Sequence, residues 1–300
     1  MLQLIFGMPS ANRNQKLAQE LLKRKGARPC LVLVPEQLSV TMERRLLEEI
    51  GDELSLWVEV LSFRRLPDYV FDRLGGRTRQ TLNEGGVRIL LSGALQPLRP
   101  HLRHFGAASQ KPDFIELLRS QFQEFAAYET DPDDLMALSQ ELPDRALSDK
   151  LHDLALLYQG MLARMGETKS AEFALDAACD LLRQDNLFAS VDLFLWHFKG
   201  FTPQEFAAIE LMLASGSTVT ACLLGEEGGG DDALDLFSPC RATAQQLRRA
   251  AQQLGCGLLP EETLPPEYVS LDFNETDWTY LDGYYYYNRA LAPGETTVPL

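Results

Sequence analysis

The sequence predicts an α/β protein: a parallel, doubly wound sheet interrupted by a large all-helical insertion subdomain. Three observations carry this expectation. Over the first seventy residues, short apolar runs bounded by Gly or Pro alternate with amphipathic stretches, the pattern of successive β–α units. About a hundred residues with helical spacing and no strand signal follow. Strand-like runs then return near Val191.

Taken in order, Leu2–Phe6 is an apolar run ending at Gly7, and Gln15–Lys25 sets Leu17, Leu21 and Leu22 on one helical face before Gly26. Cys30–Val34 is continuously apolar between Pro29 and Pro35, as expected for a strand buried on both faces. A helix from Ser39 to Glu49 ends at Gly51, Leu56–Leu61 is a third strand, and Ser62 is placed to cap a helix beginning at Phe63. Helical segments then fill Glu84–Leu95, Pro112–Tyr128, Pro132–Gln140, Ser148–Met165 and Ala171–Gln184. Val191–Phe198 reads as a strand, and Thr202-Pro203-Gln204-Glu205 reads as an N-cap with an acidic first turn opening a helix to Leu213. Ser217–Leu224 is another strand, Glu226–Asp232 a flexible acidic loop, and Thr243–Leu254 a helix. The implied organisation is 1–82 for the first part of the α/β core, 83–187 for the helical insertion, 188–260 for the return to the core, and 261–300 for an irregular tail continuing into a longer chain. The run Tyr284–Tyr287 in that tail completes no recognisable element.

Composition narrows the function classes. Three hundred residues, 45% of them hydrophobic, bury a sizeable core. No apolar run approaches the ~20 residues that span a bilayer, and the start MLQLIFGMPS has no basic region, so it reads as a core strand and not a signal peptide. The five cysteines (Cys30, Cys179, Cys222, Cys240, Cys256) are odd in number and scattered, which suits a reducing cytoplasm and neither a disulfide framework nor a zinc site. His101 and His104 lack a third ligand nearby. The net charge of −15 argues against autonomous nucleic-acid binding, which rests on phosphate neutralisation. The basic strip Lys23, Arg24, Lys25, Arg28, Arg44 and Arg45 reads as solvated helix surface.

Gly7–Asn14 (GMPSANRN) stands where the first strand meets the first helix and reads as a phosphate-binding loop without its chemistry. A working loop, G-x-x-x-x-G-K-[S/T], wraps phosphates with backbone N–H groups, reaches them with Lys and holds Mg²⁺ with a hydroxyl. Here Gly7 is kept, Ser10 lies inside the loop, and Asn12, Arg13 and Asn14 occupy the second-Gly, Lys and hydroxyl positions. An ordinary strand-to-helix turn is the alternative reading. No catalytic residue and no metal ligand is assigned.

GMPSANRN, LVLVPEQLSVTMERRL (Leu31–Leu46), VEVLSFRRL (Val58–Leu66), LSDKLHDLALLYQ (Leu147–Gln159) and FKGFTPQEF (Phe198–Phe206) come in an order that resembles the N-terminal region of the AddB (RexB) subunit of bacterial AddAB-type ATP-dependent helicase/deoxyribonucleases. The resemblance covers about residues 1–255. It implies a RecA-like (P-loop NTPase-like) sheet with a helical insertion, in a subunit of the cytoplasmic DNA-repair machinery that has generally lost motor function. It implies an AddA-like helicase–nuclease partner, DNA ends as the ligand of the full complex, and no membrane. The nuclease and its iron–sulfur cluster are expected outside this chain. A motor would also need acids at the end of the strand before FTPQ, where Trp196 and His197 stand. The expectation is therefore a pseudo-helicase scaffold with no ATPase or nuclease chemistry and no cofactor in this region. Gly7, Ser10, Arg13 and Asn14 form its vestigial nucleotide site. Ser62, Arg64 and Arg65 are its DNA-contact candidates, by likeness to the segment that holds single-stranded DNA in active motors. Trp196 and His197 could stack on a base, against a core position for Trp196. Two alternatives stand beside this: a nucleotide-binding protein with a variant loop, and an acidic protein-interaction module unrelated to DNA.

Overall fold

The apolar runs become strands buried on both faces, because helices cover both sides of the sheet. The computed structural model describes residues 1–9, 11–75, 84–111, 113–165, 174–225, 237–265, 268–270 and 297–299. Strands β1 (Leu2–Gly7), β2 (Cys30–Leu33), β3 (Val58–Leu61), β4 (Asp192–Trp196), β5 (Thr218–Leu224) and β6 (Glu262–Leu264) form one sheet in the order β3-β2-β4-β5-β1-β6. Every pairing in it is parallel. Leu33 lies opposite both Leu61 and Leu195, and Leu4 opposite Ala221.

Alternation along each strand separates two apolar layers. Leu4, Phe6, Leu193, Leu195 and Leu223 face α3 (Leu66–Leu74), α8 (Ala174–Leu182), α9 (Pro203–Ala214) and α10 (Ser238–Gln253). Ile5, Val32, Phe194, Trp196 and Cys222 face α1 (Arg13–Leu22) and α2 (Ser39–Ile50), where Leu17, Leu21, Met42 and Leu46 fill the gap. Each fully buried leucine contributes ~2 kcal/mol of transfer free energy. Helix α9 begins as its sequence requires. Thr202 Oγ1 accepts the Glu205 N–H, the Glu205 carboxylate accepts the Thr202 N–H, and Pro203 fills the first helical position.

The insertion holds α4 (Glu84–Leu98), α5 (Phe114–Ala127) and α7 (Arg145–Met165) around a core of its own, with α6 (Pro132–Glu141) packed on α7. Phe122, Phe125 and Tyr158 cluster there with ring centroids 4.9 to 5.9 Å apart. Asp153 on α7 is fully buried and accepts N–H groups of Arg103 (2.9 Å), His104 (2.8 Å) and Phe105 (2.9 Å). Burial opposes its charge, but the three backbone amides and His152 outweigh that and hold its carboxyl below the usual range. One side chain thus pins the α4–α5 connection onto α7.

Four expectations are corrected. Strand β3 starts at Val58, because Asp52–Leu56 winds into a 3₁₀ turn that buries Leu54 and leaves Leu56 exposed. Ser62 does not cap α3. Arg65 holds the cap position, while the Ser62 carbonyl accepts the Arg65 and Leu66 N–H groups and its hydroxyl donates to the Glu36 carboxylate. Helix α8, expected within the insertion at 83–187, packs instead on the sheet through Leu175, Ala178, Cys179 and Leu182. The tail expected to be irregular from 261 contributes β6, which extends the sheet beside β1, and a small antiparallel ribbon of β7 (Tyr268–Ser270) with β8 (Thr297–Pro299). Three residues carry too little apolar pattern to announce a strand such as β6. The expected acidic loop Glu226–Asp232 and the run Tyr284–Tyr287 lie outside the described residues. Among the described residues no helix is long and apolar enough to cross a membrane.

Asp153→Asn should lower the stability of the chain by about 2–4 kcal/mol, because one amide oxygen replaces a carboxylate that serves three donors. Since the folded carboxyl titrates below the ordinary value of 3.8, its contribution is complete above that pH and is lost only as the pH falls further. Urea unfolding at neutral pH checks this. An unchanged midpoint would mean that the turn is held by other contacts.

Candidate functional site

At the C-terminal edge of the sheet, β1 ends on Gly7 and turns into α1. Within the turn, the Met8 carbonyl accepts the Ala11 N–H (2.9 Å) and the Ala11 carbonyl accepts the Arg13 N–H (2.8 Å). These amides close a turn and do not point into a phosphate cradle. Asn12 caps α1, its Oδ1 accepting the Gln15 N–H at 3.1 Å. Gly7 lets the Arg13 stem approach closely: a Cβ there would lie 3.2 Å from Arg13 Cγ and 3.3 Å from Cδ. The Arg13 side chain therefore folds back over the end of β1 and is only 8% exposed.

Strand β4 ends on Trp196, which is fully buried on the α1–α2 face and so unavailable to stack on a base. His197 follows with φ +64°, a left-handed conformation that costs a non-glycine residue about 1 kcal/mol. That turn aims the imidazole across β5, the strand between β4 and β1, so that Nε2 lies 2.9 Å from Asn14 Oδ1. With the amide oxygen facing the ring, Nε2 carries the proton and donates. Burial, and then the charges of Arg13 and Arg45, push the His197 pKa down to about 4, so the ring is neutral at pH 7. Arg13, Asn14, His197 and Arg45 share an open cleft of about 500 Å³, walled on the α2 side by Leu38 and Met42.

The sequence-expected residues distribute unevenly around this cleft. Gly7, Arg13 and Asn14 build it, while Ser10 lies outside the described residues. Ser62 is 2% exposed and engaged with Glu36, whereas Arg64 and Arg65 are exposed on the same edge of the sheet, after β3. Sequence reasoning missed two participants. Arg45 was grouped with solvated surface charge, and the pairing of His197 with Asn14 joins residues 183 positions apart. The available signal was that both follow apolar runs, and parallel strands bring such ends to one edge.

Asn14 and His197 bond each other where a nucleotide-bound Mg²⁺ would need a hydroxyl and a carboxylate. The cysteines suit no iron–sulfur cluster: Cys30, Cys179, Cys222 and Cys240 are buried, and burial pushes the thiols of Cys30 and Cys222 up to about 12 and that of Cys179 up to about 11. Among the described residues no three His, Cys, Asp or Glu side chains cluster to hold a metal ion.

The family described as "ADDB, N-terminal" matches residues 5–275. The chain is similar to the B subunit of the ATP-dependent helicase/deoxyribonuclease of Clostridium kluyveri (strain NBRC 12016), 28% identical over 260 residues, which cover 84% of this chain and 22% of that protein. It is 30% identical over 256 residues to the protein of the same name from Clostridium tetani (strain Massachusetts / E88), covering 82% of this chain and 22% of that protein. The matched region thus spans about a fifth of the length of these relatives.

His197 binds its proton more weakly folded than unfolded, where the ordinary value is 6.5. Its contribution to stability is therefore complete above pH 6.5 and is lost as the pH falls from there toward 4, by up to ~3 kcal/mol. His197→Asn tolerates the left-handed backbone and does not titrate, so it should flatten this part of the stability–pH curve. Parallel curves for the two proteins, from urea midpoints at about pH 7.5 and pH 5, would sink the assignment.

Proposed function

Since the chain belongs to the AddB N-terminal family, we propose that it is the pseudo-helicase part of a helicase–nuclease subunit that processes DNA double-strand breaks for recombinational repair. It works as a scaffold and as part of a DNA channel, without ATPase or nuclease chemistry of its own. The observation that carries this reading is the direct bond between Asn14 and His197. In a working motor the residues at these two places hold a metal ion between them; here two neutral side chains hold each other. The sheet order, with β5 between β1 and β4, and the helical insertion support reading the core as RecA-like.

A chain of net charge −15 is a poor autonomous ligand for DNA, so contact with DNA falls to local features within an assembly. Exposed Arg64 and Arg65, at the edge of the sheet where ligands of open α/β folds bind, are suited to phosphate contacts. The relatives are each named as one subunit of a helicase/deoxyribonuclease, which supports a partnership with an AddA-like motor protein, and we place that partnership in the cytoplasm. Nuclease chemistry and its iron–sulfur cluster belong to the part of the subunit outside this chain.

Calorimetric titration with ATP should show no affinity that depends on Mg²⁺, and no hydrolysis should be detectable. A micromolar, magnesium-dependent signal abolished by Arg13→Ala would overturn the reading and establish a variant nucleotide-binding loop. In the assembled complex, Arg64→Glu combined with Arg65→Glu should weaken binding of DNA ends by about threefold to tenfold and flatten its salt dependence. Unchanged binding would remove this edge from the channel. Failure of the full-length subunit to co-purify with a DNA-end-processing motor would favour the acidic interaction module instead.

A further inference from the structure

The geometry points to a metal-free oxyanion site in the Arg13–Arg45 cleft, which takes one phosphate group between two guanidinium groups. The inference rests on reading this cleft as no longer a magnesium–nucleotide site, and it names what the cleft holds instead.

Arg13 is more than nine-tenths buried, yet among the described residues its guanidinium has neither a hydrogen bond nor an ion pair. Its nitrogens keep contact with solvent through the open cleft, and proteins ordinarily pair a cation on so enclosed a side chain. Elsewhere this chain does so. On the same helix Lys16 pairs with Glu20 and Glu262, and just past the helix end Arg24 pairs with Glu20 and Asp192. The chain carries 43 acidic residues, but among the described residues no carboxylate lines the cleft into which Arg13 opens. The second cation of the cleft, Arg45 on α2, is exposed and likewise unpaired among the described residues.

The rest of the cleft suits an anion. His197 is neutral and already hydrogen-bonded to Asn14, so it leaves both guanidinium groups available to an anion. The ten-residue helix α1 points its positive end toward the cleft. Guanidinium groups match phosphate oxygens in pairs and need no metal bridge. Gly7 preorganises the arrangement, since the Arg13 stem rests on the space where a Cβ would sit. The loop amides of Ala11 and Arg13 are already engaged with Met8 and Ala11 carbonyls, so this site is built from side chains and not from a phosphate-binding loop.

The phosphate group could be free or part of a nucleic-acid strand, and titration distinguishes these sources. Inorganic phosphate and a short oligothymidylate are titrated separately against the chain, in EDTA at low ionic strength. Saturable binding of either supports the site, and the better ligand identifies the source. Arg13→Gln and the surface substitution Arg45→Ala should each weaken that binding at least tenfold, with folding checked by thermal melting. Arg44→Ala, one position away on exposed helix surface, should leave it unchanged. No binding of either ligand overturns the proposal, as does equal loss in the Arg44 variant or no loss in the Arg45 variant. The two readings fail separately. Absence of metal-free binding, together with absence of magnesium-dependent ATP affinity, overturns the oxyanion site alone. Magnesium-dependent ATP affinity without metal-free phosphate binding overturns both.

Discussion

Burial of β1, β4 and β5 on both faces is the constraint on which the remaining architecture rests. A parallel strand cannot return to its own start without a crossover, and each crossover helix must cover the apolar face it leaves behind. Leu4 and Phe6 therefore need α9 and α10, while Ile5 on the same strand needs α1 and α2. The same requirement sends every β-to-α turn to one edge of the sheet. Gly7, His197 and the Ser62–Arg65 segment share that edge because the strands run in one direction, although up to 190 residues separate them.

Charge is managed in opposite ways at the two ends of α1. Near its C-terminus, Glu20 is 6% exposed; burial disfavours its charge, but Lys23, Arg24 and Lys16 overcome that and hold its pKa at about 2. Through Arg24 and Lys16 the cluster also ties α1 to Asp192 at the start of β4 and to Glu262 of β6. At the N-terminus, Arg13 is buried to a similar degree and shares its cleft with Arg45 and a neutral imidazole. One end of the helix is neutralised for stability, and at the other, among the described residues, Arg13 has no acidic partner.

The helical insertion is attached to this frame without sharing its core. Its aromatic and leucine cluster is closed by α4, α5 and α7, and Asp153 secures the longest turn within it. A body with its own core can present a surface without disturbing the sheet edge. The left-handed backbone at His197 and its bond to Asn14 act in the same sense: they brace the edge where a motor would bind and release a nucleotide.

Much of this was legible in the chain. The apolar runs at Leu2–Phe6 and Cys30–Val34 declared doubly covered strands, because only burial on both faces tolerates unbroken hydrophobicity. Thr202-Pro203-Gln204-Glu205 declared a helix start, since capping is local chemistry within four residues. The turn from β1 through Gly7 to Arg13 and Asn14 at the start of α1 was visible in the chain as well. Strand order, the docking of α8 on the sheet, β6, the engagement of Ser62 with Glu36 and the meeting of Asn14 with His197 were decided by tertiary structure. Periodicity reports which face of an element is apolar but not which distant element covers it. A hydrogen bond across 183 positions leaves no trace in local pattern, because it exists only once the sheet has brought the two strand ends together.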